Sequence, residues 1–122
     1  MKGRFINHTN HPSNGWEEKQ LEAAEAYGAV EELPFPLIDP QLEREEVHAL
    51  AEENLKEILA LHPVAVLCQG DFSYTYAMVS LLKEHGIPAL AATSERIVEM
   101  VKGADGIPKR VSVFHFVRFR EY

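Results

Sequence analysis

The stretch Val64-Ala65-Val66-Leu67-Cys68-Gln69-Gly70-Asp71-Phe72-Ser73 decides the fold. Its first five residues are apolar on both alternating faces, the pattern of a strand covered by helices on each side and therefore central and parallel. Polar Gln69-Gly70-Asp71 follows at once. Phe72, Tyr76, Val79 and Leu82 then recur at helical spacing as far as His85-Gly86, a natural stop. A buried strand thus hands over to a helix through a short polar loop, and in open α/β sheets such loops are where ligands bind.

The same pattern occurs upstream. Arg4-Phe5-Ile6-Asn7 is a brief apolar run without helical period, followed by the polar loop Asn7-His8-Thr9-Asn10-His11-Pro12-Ser13-Asn14-Gly15. Asn14-x-x-Glu17 matches a capping box, and Trp16, Leu21, Ala24 and Tyr27 give a helix that stops at Gly28. Ala29 to Leu33 reads as a second strand ended by Pro34-Phe35-Pro36. Asp39-Pro40 reads as a cap and first-turn proline opening a long amphipathic helix through Leu42, Val47, Leu50, Ala51, Leu55 and Ile58, closed by Pro63.

Downstream, Ile87 to Ala92 is a fourth strand. Thr93-Ser94-Glu95-Arg96 is expected to open a short helical segment ending near Gly103, and residues 104–108 make a turn. Ser112 to Arg120 alternates, with Val113, His115, Val117 and Phe119 on one face and Phe114, Phe116, Arg118 and Arg120 on the other. It reads as a terminal, antiparallel edge strand. The order β-α-β-α-β-α-β-(α)-β implies an α/β, Rossmann-like domain over residues 1–122, with a mostly parallel sheet and helices on both faces. If the first strand is central and the third its neighbour across the reversal of strand order, both polar loops face one crevice.

Composition narrows the function classes. A chain of 122 residues with 46% apolar content forms one domain with a real core. No apolar stretch approaches the roughly 18 residues needed to span a bilayer, and Met1-Lys2-Gly3-Arg4 runs into a strand-like segment instead of a signal-peptide core, so no membrane association and a cytoplasmic location are expected. Cys68, the lone cysteine, rules out an intramolecular disulfide and a four-cysteine zinc site. A formal charge of -7 argues against a duplex-DNA partner. The excess is local: Glu17 to Glu57 holds 13 acids against Lys19, Arg44 and Lys56, whereas His62 to Tyr122 holds 6 acids against 7 bases. The acids belong to the solvated faces of two helices.

The loops carry the candidate chemistry. Asn7, His8, Thr9, Asn10, His11 and Ser13 offer amides, hydroxyls and imidazoles that hold phosphate or ribose without a metal, although such residues also satisfy turns and helix ends. His8-x-x-His11 lies in a loop that does not fix both rings on one face and has no evident third ligand, so neither metal nor cofactor is expected. Gly70 allows close backbone approach, Ser73 adds a hydroxyl and Asp71 suits an N-cap. Gln69, polar at the end of an apolar strand, needs a partner such as a base or ribose. Ser94 and Arg96 follow another parallel strand, and Arg96 is the one guanidinium within sequence reach of the rim.

Together, Ile6-Asn7-His8-Thr9-Asn10-His11-Pro12-Ser13, Leu33-Pro34-Phe35-Pro36, Leu67-Cys68-Gln69-Gly70-Asp71-Phe72 and Thr93-Ser94-Glu95-Arg96 resemble the small stand-alone CRISPR-associated proteins of type III systems with a CARF-like Rossmann fold. That resemblance implies a homodimer binding cyclic oligoadenylate, of the tetra- or hexa-adenylate size, on its two-fold axis. It also implies ring-nuclease chemistry, in which a ribose 2′-hydroxyl attacks the adjacent phosphorus without a metal. His8 or His11 would be the general acid or base. Asn7, Thr9, Asn10, Ser13, Gln69, Gly70, Asp71, Phe72, Ser73 and Ser94 would hold the ligand, and Arg96 would add positive charge. Neither loop contains lysine. Competing readings are a non-catalytic sensor or regulator of the same messenger, and an unrelated enzyme acting on a mononucleotide or sugar phosphate.

Overall fold

The computed structural model describes residues 3–122; Met1 and Lys2, part of the amino-terminal reading above, lie outside the described residues. The chain folds as β1 (Arg4–His8), a 3-10 turn (Ser13–Gly15), α1 (Glu18–Glu25), β2 (Ala29–Glu32), α2 (Arg44–Ala60), β3 (Pro63–Cys68), α3 (Phe72–Glu84), β4 (Ala89–Lys102) and β5 (Pro108–Glu121). The strands form one sheet in the order β2-β1-β3-β4-β5, parallel except for the antiparallel β4–β5 pair. This is the Rossmann-like α/β architecture expected from the sequence. The strand order reverses between β1 and β3, where Asn7 pairs with Leu67 and His8 with Cys68, so the two polar loops leave the sheet side by side.

Burial explains the layering. On one sheet face Ile6, Val66, Cys68 and Ala89 pack with Val47, Ala51, Leu55 and Ile58 of α2 and with Ala77, Met78 and Leu82 of α3. On the other, Phe5, Ala65, Leu67 and Leu90 pack with Ala24 of α1, and Trp16, Val30, Ala92 and Phe119 close the margin. The apolar run of β3 is thus covered on both sides. Asp71 caps α3 by accepting from the Tyr74 amide at 3.0 Å, and Gly86, at φ +70°, ends it in the left-handed conformation that glycine adopts freely. Among the described residues, no helix is long and apolar enough to cross a membrane.

Four local expectations are corrected. Asn14 does not cap α1. It sits inside the 3-10 turn, and the helix starts at Glu18 with Glu17 in the capping position. Asp39-Pro40 does not open α2: Asp39 Oδ1 accepts from the Gln41 amide at 2.9 Å in a separate turn, and the helix starts at Arg44, with Glu46 reaching back to the Glu43 amide at 3.1 Å. The segment after Ala92 is not a helix. Its β-branched Ile97, Val98 and Val101 continue β4, and it pairs with residues 108–116 from Ser94↔Phe116 to Lys102↔Pro108. As a helix it would have had no body surface to pack on; as a ribbon its backbone groups find partners in β5. Finally, Val117 has no partner between Arg118 and Phe116, so a bulge inverts the alternation and puts Phe116 and Phe114 on the α1 side with Phe119.

Candidate functional site

At the carboxyl edge of the sheet, on the α1 side, lies an open crevice of about 370 Å³. It draws on all three segments singled out in the sequence: Thr9 and His11 after β1, Gln69 after β3, and Ser94 on β4. Trp16, Glu17 and Gln20 supply one wall, and Phe114 and Phe116 the other. Its surfaces are therefore aromatic and neutral polar, with His11 the one imidazole and Glu17 the one carboxylate among its lining residues.

The first loop is held by its own polar side chains. Asn7, fully buried, donates from Nδ2 to the His11 carbonyl at 2.9 Å and to Glu32 Oε2 at 2.7 Å, and its Oδ1 accepts from the Thr9 hydroxyl at 2.7 Å. The His11 amide donates to Thr9 Oγ1 at 3.1 Å, Trp16 Nε1 to the His11 carbonyl at 3.0 Å, and the Ser13 amide to Glu32 Oε1 at 2.8 Å. These bonds fix the backbone of residues 9–13 and leave the His11 side chain exposed at the crevice. Asn7 and Ser13 are loop anchors. Asn10 lies over a separate hollow of about 220 Å³ with Phe35 and Asp71.

His8 is placed differently from the expectation of an acid or base. It is 1% exposed and points to the α2–α3 side, with Nδ1–H donating to the Leu33 carbonyl at 2.6 Å and Nε2 accepting from the Tyr74 hydroxyl at 2.7 Å. Asn54 Nδ2 donates to that hydroxyl at 3.0 Å. Burial holds His8 below its ordinary titration range, so it is a neutral, fully bonded core group with no ring nitrogen free for substrate. Burial likewise pushes the Tyr74 hydroxyl upward and the Cys68 thiol to about 12, which leaves Cys68 inert.

The second loop divides its residues. Gln69 completes its bonding on β4, its Oε1 accepting from the Ala92 amide at 2.9 Å and its Nε2 donating to the Ala92 carbonyl at 3.5 Å, while still lining the crevice. Gly70 makes room for protein: a Cβ there would lie 2.4 Å from the Phe35 ring. Asp71 is the cap already described. Phe72 and Ser73 face a different groove, between α2 and α3.

Glu17 ties α1 to β5. Its Oε1 accepts from the Phe116 amide at 2.8 Å and its Oε2 meets His115 Nδ1 at 3.1 Å, while His115 Nε2 meets Glu99 at 3.4 Å. The Phe116 amide and the His115 ring hold the Glu17 carboxyl below its usual range, and the two carboxylates raise His115. The crevice's carboxylate is thus already bonded, to the Phe116 amide and the His115 ring. Arg96, cross-strand from Phe114 and two residue pairs beyond Ser94, bonds Ser112 Oγ through Nε at 3.2 Å and Nη2 at 2.9 Å.

The sequence therefore indicated Thr9, His11, Gln69 and Ser94 but not Trp16, Glu17, Gln20, Phe114 or Phe116. The alternation of residues 112–120 contained the signal for the two phenylalanines, since an antiparallel edge strand beside β4 brings them opposite residues 94–96. Among the described residues no three His, Cys, Asp or Glu side chains converge as a metal requires. A search of curated proteins found no match. The sequence pattern of one family spans residues 3–120, nearly the whole chain, and the chain belongs to that family, described as the Uncharacterized protein MJ1673 family.

Proposed function

We propose that the crevice binds cyclic oligoadenylate in a two-fold homodimer and cleaves it without a metal, the ribose 2′-hydroxyl attacking the adjacent phosphorus to leave a 2′,3′-cyclic phosphate and a free 5′-hydroxyl. The observation that carries this reading is the convergence of Thr9, His11, Gln69 and Ser94 beside Trp16 and Phe114 at the strand-order reversal. Aromatic faces stack adenines without a base-specific code, and hydroxyl and amide groups suit ribose and phosphate. His11 takes the acid or base role; His8, sealed in the core, does not. Alignment of the hydroxyl, phosphorus and leaving oxygen supplies the main acceleration, because the lining holds no lysine or arginine and Arg96 is bonded to Ser112.

The same scarcity of positive charge favours a second reading, a binding protein that holds the messenger without turning it over. Incubation of the pure protein with labelled cyclic tetra- and hexa-adenylate in EDTA separates the two. Linear products ending in a 2′,3′-cyclic phosphate are expected. Tight binding with an intact ring selects the sensor, and neither binding nor cleavage removes both. Preference for a mononucleotide over either ring would point instead to a mononucleotide or sugar-phosphate enzyme.

A further inference from the structure

Beyond Arg96 and Phe114, past the contacts of Glu17 with His115 and Phe116, β4 and β5 leave the body as a two-stranded arm. Residues 97–102, at about 3.3 Å each, make it roughly 20 Å long, and every one of them is exposed. A solvated two-stranded ribbon is marginal by itself, yet this one carries large apolar side chains on both faces. The face shared with the crevice holds Val98, Met100 (64% exposed) and Phe114 (64% exposed), together with Arg96, Lys102 and Arg110 and no acid. The acids Glu95 and Glu99 lie on the opposite face.

The body has a matching surface. Between the first half of α2 and the start of α3 runs an apolar groove lined by Val47, His48, Phe72, Ser73 and Tyr76, which opens onto a rim holding Glu45 and Glu52. Phe72 is 92% exposed and Tyr76 73%. Arg44, also on this margin, is folded onto Glu45 at 3.0 Å. The groove's rim thus holds Glu45 and Glu52 beside Arg44 and His48, whereas every charged residue on the Val98–Met100 face of the arm is basic.

We propose that the arm seats its Val98–Met100 face in the α2–α3 groove of a second copy of this chain, and that the second copy's arm does the same in return. Each chain carries one ribbon face whose charges are all basic and one apolar groove with Glu52, free of an ion pair among the described residues, on its rim, so a reciprocal pair covers both surfaces and closes, where a one-way contact would propagate into fibres. This deepens the two-fold pairing in the proposed function, but it needs no ligand and can fail or hold independently of ring binding.

Sedimentation of the ligand-free protein at micromolar concentration tests it, with Met100→Glu on the arm and Tyr76→Glu in the groove. Both residues are exposed in the single chain, and circular dichroism checks that each variant folds. The wild type should run at the mass of two chains and each variant at the mass of one. An equimolar mixture of the two variants should recover two-chain mass, because one intact arm then meets one intact groove. A one-chain wild type, meaning that a different partner covers these surfaces, overturns the proposal. So do variants that stay paired, or a mixture that stays monomeric, which would mean that arms meet arms or grooves meet grooves.

Discussion

His8 and His11 stand three residues apart on opposite sides of the same strand end, and the molecule treats them in opposite ways. On the α2–α3 side, His8, Tyr74, Asn54 and the Leu33 carbonyl form a closed chain of hydrogen bonds. On the α1 side, Thr9, Gln69, Ser94 and His11 border an open crevice. The lesson is that polar residues after a buried strand do two jobs, and the sheet face onto which each one projects decides which. Inward projection makes His8 a structural spacer; outward projection leaves the His11 ring open at the crevice.

Substitution separates the two sides. His11→Ala should lower the rate of ring cleavage by about 10²–10⁴-fold, the usual cost of losing a general acid or base, while thermal melting moves little because the ring is exposed. Tyr74→Phe should do the reverse. It strands His8 Nε2 and Asn54 Nδ2 on a lost hydroxyl and should destabilise the fold by about 1–3 kcal/mol in urea titration, with cleavage per folded molecule retained. Gly70→Ala drives a methyl into Phe35 and should cost about 1–3 kcal/mol by the same titration.

A pH series sharpens the contrast further. His8 is held below its unfolded value of about 6.5, so the unfolded chain binds more protons. Stability should therefore fall as pH drops below 6.5, by up to about 1.4 kcal/mol per pH unit. His115 is raised by Glu17 and Glu99. Its contribution has the opposite sign, present in full below the unfolded value and lost as pH rises through the folded one. Denaturant midpoints of wild type and His115→Gln across this range should differ more on the acid side, and by the least of the effects named here, since these groups are solvated.

Much of this was legible in the residues. The apolar run at 64–68 and the turn chemistry of Asp71 and Gly86 gave the central strand and α3, because local pattern and tertiary environment agree there. Ser94 to Lys102 reads as a helix in isolation because Ile97, Val98 and Val101 also sit at helical spacing, and it is the pairing with residues 108–116 across the turn that makes it a strand. The capping errors at Asn14 and Asp39 share a cause: each side chain or its neighbourhood closes a turn just before the helix. The roles of His8 and Gln69 turned on partners 66 and 23 residues away, which spacing does not reveal.

The most direct test of the crevice as the ligand site is a carbon-proton NMR titration of the imidazoles with cyclic tetra-adenylate and cyclic hexa-adenylate. The account predicts that with one of these rings the His11 signal moves to saturation while the His8 signal holds its position. Movement of His8 with His11 unchanged, or no movement of either with both rings, would contradict it.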